Sequence, residues 1–139
     1  INPLSGLVEE DIDSGEFGLW SNSMKLLDNS RYSEAAENLR LLILSYPNGT
    51  YTGDAYFWLG EIYLVQEMFE DSSEILNAFI AKFDGHPRKA DGLYKLALAK
   101  VNLEELELAE TLFQEVISNY PNSGAALLAE QDLIKLKLQ

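Results

Sequence analysis

Asp54-Ala55-Tyr56-Phe57-Trp58-Leu59-Gly60-Glu61-Ile62-Tyr63, followed by Gln66 and then Phe69-Glu70-Asp71-Ser72-Ser73, is the stretch that decides the fold. It reads as one helix, a short turn and the start of a second helix. Copies flank it on both sides. Asp54 is answered by Asp91 and Leu59 by Leu96. Tyr32, Phe69 and Leu106 form a second series, and Tyr46, Phe83 and Tyr120 a third. Every step is 37 residues. One interval shared by independent positions is the signature of a solenoid built from repeated helical hairpins. The expected fold class is therefore all-α, with three hairpins and a C-terminal capping helix.

Read outward from that stretch, the chain falls into place. Residues 1–15 mix Pro, Gly and acids with little periodicity, as a flexible lead-in does, and residues 16–139 form the repeat domain. Asp11 and Asp13 resemble the opening of a calcium loop. No frame opened by either supplies both the sixth-position glycine and the twelfth-position glutamate, so no metal site is expected there. Phe17, Trp20, Met24 and Leu27 recur at helical spacing. Asn29-Ser30 breaks the pattern, with Ser30 placed to cap the helix that follows. That helix carries Tyr32, Ala35, Ala36, Leu39, Leu42, Ile43 and Tyr46, and Pro47-Asn48-Gly49 ends it. The second hairpin closes at Gly85-His86-Pro87 and the third at Pro121-Asn122-Ser123. The cap runs from Ala125 to about Leu138.

Small residues recur at two repeat positions: Gly60 with Ala97, and Ala35 with Ser72 and Ala109. They let the two helices of a hairpin approach closely, while Leu59, Tyr63 and Phe113 fill the space between hairpins.

The chain has 139 residues, enough for a sizeable core, and no apolar run long enough to span a membrane as a helix. A net charge of −13 disfavours nucleic acid and anionic membrane surfaces and attracts basic protein segments. With zero cysteines there is no disulfide, thiolate metal site or cysteine nucleophile. The single histidine, His86, stands in a Gly-His-Pro turn without a neighbouring nucleophile. No phosphate loop, metal-ligand spacing or nucleophile elbow is present, so no cofactor and no catalytic residue is expected.

The repeated large apolar residue, Leu, Gly, Tyr, then Ala and Phe or Leu, then Pro resembles the tetratricopeptide repeat, whose usual period is 34. The three extra residues per unit are expected between hairpins. The strings YPNGTYTGDAYFWLGEIYLVQEMFEDS and AETLFQEVISNYPNSGAALLAEQDL further resemble the C-terminal repeat domain of the cell division coordinator of the bacterial Tol–Pal system. Gly92-Leu93-Tyr94-Lys95 and the pair Ser72-Ser73 depart from that family's pattern. The resemblance implies export to the periplasm through a cleaved signal, a trimerising N-terminal coiled coil with no counterpart in these residues, and TolA binding. It also implies coordination of peptidoglycan synthesis with envelope constriction during division. An assembly lipoprotein of the outer-membrane β-barrel machinery uses such repeats too and is the alternative; a lipidated cysteine would favour it.

In this architecture the first helices of successive hairpins line a groove. Trp20, Phe57 and Tyr94 share one repeat position, Met24, Glu61 and Leu98 another, and Trp58 and Lys95 a third. These eight residues are the expected floor for a peptide or helix of an envelope protein, because aromatics dominate interface hot spots. The competing reading places the aromatics in the core. Glu61 is either solvated or paired with a partner's lysine.

Overall fold

The computed structural model describes residues 15–139, so the proposed lead-in, with Asp11 and Asp13, lies outside the described residues apart from Gly15. Among the described residues there are seven α-helices and no strands. They are α1 (Glu16–Asp28), α2 (Tyr32–Ser45), α3 (Thr52–Val65), α4 (Phe69–Lys82), α5 (Lys89–Asn102), α6 (Leu106–Asn119) and α7 (Gly124–Lys137). No described helix is long and apolar enough to cross a membrane. The starts of α2, α4 and α6 are the Tyr32, Phe69 and Leu106 series, so the sequence period and the structural period coincide.

The turn inside each hairpin is built identically. Ser30, Glu67 and Glu104 hold φ of 57°, 59° and 61°, a left-handed conformation that costs a side-chain-bearing residue about 1–2 kcal/mol. The Glu67 amide donates to the Leu64 carbonyl at 3.0 Å and the Met68 amide to Tyr63 at 2.8 Å. Ser30–Arg31 and Glu104–Glu105 repeat both bonds. This pairing satisfies the helix's last carbonyls and demands the left-handed residue. Ser30 is thus a helix terminator and not the expected N-cap. Arg31 precedes α2, and its side chain caps nothing. Glu67→Gly should stabilise the protein by about 0.5–1 kcal/mol, since relief of the left-handed strain exceeds glycine's entropy cost. A thermal melt should rise by about 2–4 °C; an unchanged or lower midpoint would refute the strain.

The longer connectors fall between hairpins, as expected. Tyr46, Phe83 and Tyr120 end their helices, and the amides of Gly49, His86 and Ser123 donate to their carbonyls at 3.1, 3.0 and 3.1 Å. Ser123 then caps α7, its Oγ accepting from the Ala126 amide at 3.0 Å.

The chain divides into two compact units, the break falling within α3 between Leu59 and Gly60. In the first, α1 packs on α2 around Ala35, Ala36, Leu39 and Leu42, all buried. The Glu16 carboxylate accepts the Thr50 and Tyr51 amides at 3.0 and 2.7 Å, fixing the connector before α3. In the second, α4 packs on α5, α5 on α6, and α7 on both α5 and α6. Its main cluster joins Leu93 and Ala97 of α5, Ala109, Phe113 and Val116 of α6, and Ala125, Ala126 and Ala129 of α7. Gly60, Ser72, Ala97 and Ala109 are all buried, as the small-residue pattern requires. The Ser72 hydroxyl donates to the Gly60 carbonyl at 2.8 Å, tying α3 to α4 where they approach.

Candidate functional site

Helix α3 carries large apolar residues on every side, and such a helix is buried over most of its surface. Phe57 is 1% exposed, its ring edge-on to Trp58 at 5.2 Å between centroids. It belongs to the core, which corrects its assignment to a groove. Trp58 is half-buried, as are Trp20 and Met24. Trp20 stacks on Tyr51 at 5.4 Å, so part of its surface is covered within the chain. These are the candidates in the first unit.

In the second unit Glu61, Tyr94, Lys95 and Leu98 are all partly exposed. Lys95 Nζ lies 2.7 Å from Glu61 Oε2, and each side chain keeps 22% of its surface. The Glu61 carboxylate thus has its own chain's lysine as partner, whereas the sequence offered solvent or a partner's lysine. The Tyr94 hydroxyl donates to Asp132 Oδ2, and its ring packs 6.0 Å from Phe113, joining α5 to both α6 and α7. Leu98 packs against the core cluster and, with Val101, Phe113 and Leu136, walls a small cavity of about 160 Å³. Asp132 and Lys135 stand at this cavity too, 3.8 Å apart. The cavity is an apolar slot with one charged pair, Asp132 and Lys135, at its edge, and it can hold an apolar side chain.

Asp132 and Lys135 are not among the eight residues expected from sequence, although the repeat step points to them: they stand 37 residues after Lys95 and Leu98. His86 has a turn role. Its Nδ1 accepts the Arg88 amide at 3.0 Å and its ring meets Phe79 edge-on at 5.0 Å. Among the described residues no group of three or more His, Cys, Asp or Glu could hold a metal ion.

Burial, and then the bond to Asp132, push the Tyr94 hydroxyl above the ordinary tyrosine pKa. A raised folded-state pKa means that the stabilisation is complete below the unfolded value of about 10 and is lost as pH rises past it. Tyr94→Phe should therefore cost about 1 kcal/mol at neutral pH and flatten the fall in stability above pH 10. Urea midpoints from neutral to alkaline pH check this; an unaltered alkaline limb would refute it.

Solved structures share the fold. The first tetratricopeptide domain of Spaghetti (RPAP3), bound to the HSP90 peptide SRMEEVD, superposes with a TM-score of 0.75 at 17% identity, over 91% of this chain and 93% of that one. MamA from Desulfovibrio magneticus RS-1 gives 0.77 at 19% identity, over 90% and 66%. The outer membrane protein assembly factor BamD of Rickettsia prowazekii (strain Madrid E) is 25% identical over 78% of this chain. The chain spans about half the length of that relative, 47%. The fold is thus a tetratricopeptide-like helical repeat, and, since residues 13–139 match the family model YfiO, described as outer membrane lipoprotein, the chain belongs to that family.

Proposed function

We propose that this chain is a non-enzymatic, protein-binding adaptor domain of the bacterial envelope, working at the periplasmic side in outer-membrane protein assembly. The observation that carries this is the family match over residues 13–139, joined by a relative that is itself an outer membrane protein assembly factor. The binding face we propose in the second unit comprises Glu61, Tyr94, Lys95 and Leu98 with Asp132 and Lys135. Trp20, Met24 and Trp58 are the contributors in the first. A net charge of −13 suits a basic partner segment, mainly through its association rate. Apolar anchoring supplies the affinity.

The test is depletion in the bacterium that encodes it. Folded outer-membrane β-barrel proteins should fall while septal constriction proceeds. The Tol–Pal coordinator, with a TolA-like partner and a role in peptidoglycan synthesis, is the second reading. The strings around Phe57-Trp58-Leu59-Gly60-Glu61 and Tyr120-Pro121-Asn122-Ser123 favour it. Normal barrel levels with failed constriction would establish it instead.

Trp58→Ala should reduce recovery of the envelope partner in a pull-down while the helical circular dichroism is kept. Because Trp58 is half-buried, a loss of about 1–2 kcal/mol is expected. A loss as large as a core Trp truncation, about 3–5 kcal/mol, would make Trp58 a core residue.

A further inference from the structure

Asn48-Gly49 is the one Asn-Gly pair in the chain, and it sits in the connector between α2 and α3. The third repeat sets Asn122-Ser123 at the same place and closes its turn with the same bond, so the turn itself does not demand glycine. Glu16 does. A Cβ at residue 49 would lie 2.5 Å from Glu16 Cδ and closer still to Oε2. Only glycine leaves room for the carboxylate that accepts the Thr50 and Tyr51 amides. The choice has a chemical consequence. A glycine nitrogen carries no side chain beside it to shield it, so it can attack the side-chain amide of the asparagine before it.

In the fold that nitrogen is held. The Gly49 N–H donates to the Tyr46 carbonyl at 3.1 Å and to Thr52 Oγ1 at 2.8 Å. The buried Thr52 hydroxyl donates in turn to the Tyr46 carbonyl. The Glu16 carboxylate beside Gly49 disfavours loss of the amide proton, because the anion formed would face a like charge. Asn48 itself is exposed, so water reaches it.

We propose that Asn48 is a deamidation site gated by this connector, closed while Thr52 and Glu16 hold residues 49–51 and reactive when they let go. The deprotonated Gly49 nitrogen bonds to Asn48 Cγ, the Cγ–Nδ2 bond breaks, and ammonia leaves with the proton, giving a succinimide. Water then opens the ring. Cleavage at Cγ yields aspartate; cleavage at the main-chain carbonyl yields isoaspartate, whose main chain runs through Cβ and Cγ. The balance is asparagine plus water to aspartate plus ammonia, with no redox change. Deamidation is slow against local opening, so its rate follows the fraction of chains whose connector is open. Either product sets a second carboxylate near Glu16. Isoaspartate also adds an atom to the main chain, which breaks the register of the Thr50 and Tyr51 amides on Glu16. Tyr51, stacked on Trp20 at 5.4 Å, then loses its anchor. A chain that has opened is thus marked irreversibly in its first unit.

Peptide mapping by mass spectrometry tests this, following the gain of one mass unit at residue 48 and separating the two products by retention. At neutral pH the native 139-residue protein should convert at least about tenfold more slowly than the same protein in urea. Thr52→Val nearly keeps the shape and removes both hydroxyl bonds. It should speed native conversion about fivefold and leave the rate in urea unchanged. Glu16→Gln should also speed native conversion, and it carries the test alone if Thr52→Val loses its helical circular dichroism. Equal native and urea rates would overturn the proposal. So would a native rate that no folded variant raises, or a variant whose rate in urea rises as much as its native rate.

Discussion

Gly60→Leu should cost about 3 kcal/mol, the upper end of overpacking penalties. A Cβ at Gly60 would lie 2.5 Å from Cδ2 and 2.6 Å from Cγ of Leu76. Leu76 is 0% exposed, so its side chain has no solvent to swing into. Moving the helices apart instead breaks the 2.8 Å bond from the Ser72 hydroxyl to the Gly60 carbonyl and leaves both groups buried. The alanine variant separates packing from propensity. In an ordinary helix interior Gly→Ala gains about 1 kcal/mol; here the contact outweighs that gain, and a net loss of about 1 kcal/mol is expected. Urea denaturation measures both. Trimming Leu76 to alanine in the Gly60→Leu background should recover part of the loss, giving a coupling of about 1 kcal/mol or more. If Gly60→Ala stabilises the protein by its full propensity, the close approach is absent.

That contact was legible in the sequence because it is repeated. A small residue at one step can be accident; Gly60 with Ala97, and Ala35 with Ser72 and Ala109, cannot. The 37-residue step fixed the helix count, the hairpins and the place of the long connectors by the same logic. What the repeat could not show is which side of a helix faces the core when every side is apolar. Phe57 and Trp58 are adjacent on α3, and no polar face distinguishes them, so the pattern offers both as groove residues, whereas only Trp58 keeps exposed surface. Ser30 misled for a different reason. Serine is common at N-caps, but the left-handed φ at 30, 67 and 104 is a backbone property shared by one serine and two glutamates, and residue type does not reveal it. The Glu61–Lys95 pair escaped because it crosses from one repeat position to another. A series read along single positions cannot reveal a diagonal contact.

Phe113→Ala should be the most damaging single truncation considered, at about 3–5 kcal/mol. Phe113 is 0% exposed and belongs to a cluster that takes residues from three helices. Its neighbours leave little means of closing the gap. Helix α7 contributes Ala125, Ala126 and Ala129 to that cluster, and methyl groups cannot extend into a vacated ring's space. The existing 160 Å³ cavity already borders Phe113, so truncation enlarges a void instead of opening an isolated one. The Tyr94 ring, 6.0 Å away, loses the surface that holds its hydroxyl on Asp132. The attachment of α7 should therefore loosen before the rest of the second unit. Amide exchange should show α7 losing protection first, with α4 and α5 retaining theirs. Phe113→Leu, which refills most of the volume, should cost less than about 1.5 kcal/mol and keep α7 protected. If alanine costs no more than leucine, or if α7 and α4 lose protection together, Phe113 is not the residue that seats the last helix.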